Sequence, residues 1–243
     1  MKVVDAVLSQ LPDTHEQVQD VLVGIHWTTV FSRSVGLASS LTGSAQHGEE
    51  KVRDVGSLHT KPVRELAEWA RSDNLLEASI GMAAINSLLT VNESQAVEIN
   101  AGDILAQRGR DKNIAVVGHF PFVRNLRALA KQCWVLELRP AQGDLPAEAA
   151  DEILPLADVI AITGTALINH TIDDLLKWCN PKAYVMVLGP STPLTPVWYD
   201  FGVDVYSGTS VIDAEAVRRT VSQGAIFPQV KGVRLLSFSK GTV

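Results

Sequence analysis

From about residue 110 onward the chain repeats one pattern, and that pattern leaves few folds open. Ile114–Val117, Trp134–Leu138, Asp158–Ile162, Tyr184–Leu188 and Val203–Tyr206 are short, almost wholly apolar runs. Helical stretches are expected at Val123–Lys131, Pro146–Leu154 and Thr171–Cys179, the last with Thr171 and Asp174 at capping-box spacing. A final helix starts at Asp213 and stops at Gly224. Strands that are apolar throughout and alternate with helices predict a parallel sheet covered on both faces.

The region before it reads differently. Met1 to Leu11 is an amphipathic helix with apolar Val3, Val4, Val7, Leu8 and Leu11, and it has no signal-peptide core or cleavage site. Val18 to Ser32 reads as one strand with Gly36–Leu41 as its antiparallel partner, followed by a Gly/His loop over Thr42–His47. Pro62 opens a helix to about Arg71. Leu75–Thr90 forms a second helix, rich in small residues (Ala78, Ser79, Gly81, Ala83, Ala84, Ser87), which suits close approach of another helix or of a ligand. Polar, Gly-bearing segments around 100–113 mark a change of character, so the chain divides into 1–105 and 106–243. The expected class is α/β: a parallel-sheet domain preceded by a smaller α+β domain.

Composition excludes several functions. At 243 residues, 46% hydrophobic and net charge −6, the chain can build a core and has no basic run, so neither nucleic acid nor an anionic membrane surface is an expected partner. Two cysteines far apart, Cys133 and Cys179, exclude a disulfide framework and a cysteine zinc site, and fit a cytoplasmic location. The six histidines show no HxH or HxxxH spacing, and no metal ligands are assigned. A homo-oligomer stays open.

Polar and small residues gather at strand ends: Gly118-His119-Phe120-Pro121, Thr163-Gly164-Thr165, Gly189-Pro190-Ser191-Thr192 and Gly208-Thr209-Ser210. In an open parallel sheet, the carboxyl edge at the switch of strand order holds the ligand crevice. With order 2-1-3-4-5, the Gly118 and Thr163–Thr165 turns would flank that switch. His119 is the candidate acid/base, since imidazole titrates near neutrality. Gly118, Phe120, Thr163, Gly164, Thr165, Gly189, Pro190, Ser191, Thr192, Gly208 and Thr209 are candidate ligand contacts. Asn169 would orient a ligand or satisfy a helix end. Asn86, on the small-residue helix, would reach the crevice from the first domain. Glu137 falls 19 residues after Gly118, where nucleotide-binding folds place an acid on ribose hydroxyls, or is a solvated carboxylate. The Gly118 turn lacks G-x-G-x-x-G, so a dinucleotide is not expected, whereas a nucleoside such as that of S-adenosylmethionine stays open.

Six segments together resemble the putative heavy-metal chelation domain family. They are Val23–Val30, Ser79–Asn86, Val116–Phe122, Asp158–Asn169, Val187–Pro193 and Gly202–Thr209. The resemblance implies an enolase-N-terminal-like domain followed by a Rossmann-like domain, with a site between them. It also implies condensation or hydrolysis of a pterin-, flavin- or siderophore-like chelator. The alternative is a binding protein that captures a metabolite or metal chelate without chemistry.

Overall fold

In the computed structural model, residues 1–43, 51–97 and 100–240 are described. Residues 44–47 of the expected Gly/His loop lie outside them.

The N-terminal half begins with α1 (Lys2–Ser9), whose apolar spacing buries Val3, Val4, Val7 and Leu8 on one face. A three-stranded antiparallel sheet follows: β1 (Asp20–Val23), β2 (Trp27–Phe31) and β3 (Val35–Ser39), in that order. The single strand expected over 18–32 is therefore a hairpin. Its tip at Gly24–His26 leaves Ile25 in solvent, so the expected strand is broken by a turn. Helix α3 (Leu75–Leu88) covers the sheet, packing on β2 and β3, and α2 (Val63–Glu68) packs against α3. Asn74 caps α3, its Oδ1 accepting from the Leu76 and Glu77 amides. Nearly all of α3 is buried, which is why it carries no polar stripe. Its small residues serve this half of the molecule. A Cβ at Gly36 of β3 would lie 1.9 Å from the Ala83 carbonyl oxygen, and one at Gly81 would lie 2.0 Å from the Ala70 nitrogen.

The C-terminal half is built on a seven-stranded sheet. Helix α4 (Ala101–Gly109) leads into β4 (Asn113–Val117), α5 (Val123–Leu129), β5 (Gln132–Glu137), β6 (Leu145–Pro146), α6 (Ala150–Ile153), β7 (Val159–Thr163), α7 (Thr165–Ile168) and α8 (Ile172–Trp178). Then come β8 (Tyr184–Leu188), β9 (Val205–Val211), α9 (Ala214–Ser222) and β10 (Val233–Ser239). The strand order is β10-β9-β8-β7-β4-β5-β6, parallel except for β10, so the expected 2-1-3-4-5 core is present with the two-residue β6 added at one edge and the seven-residue β10 at the other. The division expected at 105/106 falls within α4, whose Ile104 and Leu105 pack with Ile114, Val116 and Val123 of the parallel-sheet core.

Three local expectations are corrected. The helix expected over Pro146–Leu154 is a broken series of short turns around α6, and Pro155, which has no amide hydrogen to donate, prevents its regular continuation. The Thr171–Asp174 capping box does not form, since the Thr171 hydroxyl donates instead to Asn169 Oδ1 at 2.8 Å. Ser207–Thr209 is not a turn. It continues β9, where antiparallel β10 pairs with it residue for residue.

The halves are tied at many points. Asp173 accepts from the Lys2 and Val3 amides at the start of α1. Trp27 donates to the Ala225 carbonyl, His170 Nε2 to the Ala70 carbonyl, and the Ser39 amide to Ser191 Oγ. One contiguous apolar cluster runs from Val3 through α3 to Phe238.

Candidate functional site

The order switch falls between β4 and β7, and both turns leaving those strands meet there. Gly118 ends β4 at φ +100°, a left-handed conformation that costs a residue with a side chain about 1–2 kcal/mol. A Cβ at Gly118 would lie 3.0 Å from Thr163 Cβ, so the two turns touch. Beyond them opens a cleft of about 460 Å³. Gly118, His119, Phe120, Glu137, Thr163, Thr165 and Asn169 all line it, together with Glu148, Asp174 and Trp178, which sequence reading missed.

His119 is half exposed, but its partner is not. Nδ1 lies 3.0 Å from Oδ2 of Asp144, whose side chain is 1% exposed. Arg127 of α5 donates to Asp144 Oδ1 at 2.8 Å and to the Gly143 carbonyl at 2.9 Å, and the Ala141 amide donates to Oδ2. Burial pushes the Asp144 carboxyl up, but the bonds from His119, Ala141 and Arg127 outweigh it and hold the group below its ordinary 3.8. No sequence spacing links 119, 127 and 144; the loop 138–144 between β5 and β6 brings Asp144 to the other two.

Thr163 and Thr165 share a hydrogen bond at 2.9 Å, and the Thr165 amide donates to Thr163 Oγ1. One of their two hydroxyl protons is used in the pair, which leaves the other for the cleft. Glu137 ends β5, where its Oε2 accepts from the Leu138 amide. Asn169 accepts from the Thr171 amide and hydroxyl, so it does satisfy a helix start while lining the cleft. Three carboxylates (Glu137, Glu148, Asp174) and no lysine or arginine line this space, so it disfavours anions.

A second cavity of about 230 Å³ lies between the halves and shares His119, Phe120, Thr163 and Thr165 with the first. Gly164, Gly189, Pro190 and Ser191 line it, facing Trp27, Ser39, Phe227 and Pro228. The Trp27 and Phe227 rings sit 5.4 Å apart. The Ser191 hydroxyl is committed to Ser39, accepting from its amide at 2.9 Å and donating to Oγ at 3.1 Å.

Four candidates line neither cavity. Asn86 donates to the Leu37 carbonyl at 2.9 Å and to the Ser191 carbonyl at 3.4 Å, so it reaches the second half as a tether and not as part of the cleft wall. Thr192 is buried against Gly164, where a Cβ would lie 2.4 Å from Thr192 Oγ1. Gly208 sits within β9, close under the Thr192 carbonyl, and Thr209 reaches only the Pro190 carbonyl at 3.5 Å.

Among the described residues, no group of three or more histidine, cysteine, aspartate or glutamate side chains is placed to hold a metal ion. Cys133 lies in β5 and Cys179 ends α8. Burial raises both thiols, Cys179 to about 12, so neither offers a thiolate near neutral pH. No helix among the described residues is long and apolar enough to cross a membrane.

Comparison with known proteins agrees with this architecture. A solved structure of a DUF364-family protein of unknown function from Desulfitobacterium hafniense superposes with TM-score 0.83 at 27% identity, covering 98% of this chain and 97% of that one. A second, from Pyrococcus horikoshii, gives 0.80 at 20% identity over 98% of each chain, a likeness of fold. An uncharacterised protein of Methanocaldococcus jannaschii is 27% identical over 191 residues, 75% of this chain and 72% of its own length. Two family models match, at residues 4–89 and 100–239, and both are described as putative heavy-metal chelation. The second alone spans more than half of the sequence, and the chain belongs to the putative heavy-metal chelation family.

Proposed function

We propose that the protein binds a small polar organic ligand, neutral or cationic, in the cleft at the β4/β7 switch, with His119 against its reactive part. The carrying observation is the cleft itself: an imidazole held by a buried carboxylate faces a space lined by hydroxyls and acids and by no cation. Glu137 suits a pair of ligand hydroxyls, as in a nucleoside such as that of S-adenosylmethionine. The adjoining cavity, with Trp27, Phe120 and Phe227, suits a flat ring of the pterin or flavin kind. In this reading an enzyme would use His119 for proton transfer during condensation or hydrolysis of a chelator-like metabolite. Any metal would arrive with the ligand.

The test is titration calorimetry of the full chain with S-adenosylmethionine, adenosine and a neutral pterin, with NAD as the anionic control. Binding of at least one of the first three, tighter than NAD and weakened about tenfold or more by Glu137→Ala or His119→Ala, is expected. Preference for NAD, or binding indifferent to both substitutions, would refute the reading. If His119→Ala abolishes turnover of a bound ligand and spares its affinity, the protein is an enzyme. A ligand that binds and is never converted favours the alternative, a binding protein for a metabolite or metal chelate.

A further inference from the structure

His119 has two nitrogens, and which one faces the cleft decides what the residue can do there. We propose that Asp144, seated by Arg127, fixes His119 with the proton on Nδ1, so that Nε2 presents a bare lone pair to whatever occupies the cleft. Asp144 is thus a positioning residue. It acts through His119 and does not line the cleft itself.

The geometry carries this. Oδ2 of Asp144 receives the Ala141 amide at 3.2 Å beside His119 Nδ1 at 3.0 Å, and Oδ1 receives Arg127 Nη2 at 2.8 Å. Every certain partner of this carboxyl is a donor, which is the surrounding of an ionised acid. An ionised carboxylate only accepts, so Nδ1 must donate. The lock is rigid because its parts come from three places in the chain. Arg127 sits on α5, Asp144 is in the turn after β5, and His119 is in the turn after β4. The same Arg127 nitrogen that holds Asp144 also holds the Gly143 carbonyl, so the turn cannot move without breaking both bonds. Turning the imidazole over would place a ring carbon against the carboxylate and forfeit a charge-assisted bond.

The consequence for function rests on the cleft being the ligand site. There, neutral His119 takes a proton from a ligand O–H or N–H, or donates its lone pair to an ion that the ligand carries, and it does not begin as a hydrogen-bond donor.

The tautomer can be read without any ligand. Long-range proton–nitrogen correlation spectra of the ¹⁵N-histidine-labelled full chain would be recorded about two pH units above the ordinary histidine value, with His119 assigned by His119→Gln. In the unmodified protein the Nδ1–H form should exceed the Nε2–H form by about tenfold or more. Asp144→Ala should release His119 to a mixture of the two forms, and Arg127→Ala, which removes the donor that seats Asp144 but leaves the Ala141 amide bond, should shift the ratio the same way to a smaller extent. An Nε2–H signature in the unmodified protein overturns the proposal, even if Asp144→Ala fails to fold. An unchanged ratio in a folded Asp144→Ala overturns it equally. Failure of every ligand in the calorimetric panel would leave these spectra as they are, so the two readings fall separately.

Discussion

Gly164→Ala is a perturbation whose sign the structure decides. Gly164 has φ −61° and ψ −16°, a conformation open to any residue. At such a site alanine ordinarily stabilises by about 0.4–1 kcal/mol, because it restricts the unfolded chain. Here the new methyl would sit 2.4 Å from Thr192 Oγ1, 2.7 Å from Thr192 N and 3.1 Å from Thr192 Cα. Thr192 would have to retreat by about 0.7 Å to bring its nitrogen from 2.7 Å to the 3.4 Å at which ordinary contact begins. It is poorly free to do so. Its amide is bonded to the Gly189 carbonyl at 2.9 Å, and Ser191 beside it is pinned to Ser39 across the two halves. Overpacking of this kind costs about 1–3 kcal/mol, so a net loss of about 1–2 kcal/mol is expected. Urea unfolding followed by tryptophan fluorescence should show a midpoint lower by roughly half a molar. In a Thr192→Ala background the oxygen contact is gone and the nitrogen contact remains, so the loss should shrink without vanishing. A Gly164→Ala protein as resistant to urea as the parent would refute the argument that Thr192 is why this position is glycine.

Two further outcomes are expected. Burial pushes the Glu77 carboxyl up, but bonds from Arg53 and Ser72 outweigh it and hold it below its ordinary 4.5, so it contributes stability above that value and loses it as pH falls through the lower folded one. Urea midpoints measured from about pH 7 down to about pH 3 should therefore fall less steeply for Glu77→Gln than for the parent, and equal slopes would count against this pair as a source of acid sensitivity. Elemental analysis of the purified chain should find metal well below one equivalent, given thiols held protonated and no clustered ligands among the described residues. A stoichiometric ion lost on His119→Ala would replace the organic-ligand reading with a metal site.

The location of the cleft was legible because turn chemistry marks strand ends: Gly118 and Thr163–Thr165 stood out as polar interruptions of apolar runs, and strand order then made them neighbours. What lay beyond the sequence was everything set by tertiary approach. Asp144 and Arg127 occupy a loop and a helix with no spacing signal to His119, although they govern its geometry. Gly208-Thr209 looked like another strand-end turn because nothing local announces β10 as its antiparallel cover. The small residues of α3 suited close approach of another helix or of a ligand, a choice the sequence leaves open, and the contacts of Gly36 and Gly81 show backbone packing using them. The hairpin at Gly24–His26 lacks the Asn-Gly or Asp-Gly pair that would have flagged it.

The single apolar cluster that threads both halves has a consequence for how this chain can be divided. Family matching breaks between residues 89 and 100, yet Val97 pairs with Ser237 of β10 in both directions, its amide donating to the Ser237 carbonyl and its carbonyl accepting from the Ser237 amide. The last strand of the chain thereby staples the connector between the two matched segments. Either segment made alone would expose the surface the other covers, and the connector could not serve as a hinge. A ligand that occupied the chamber would therefore bind to one packed body. Because that chamber's walls belong to one cooperative body, occupancy would raise the unfolding temperature of the whole chain by mass action, so a simple melting screen samples every wall of the site at once.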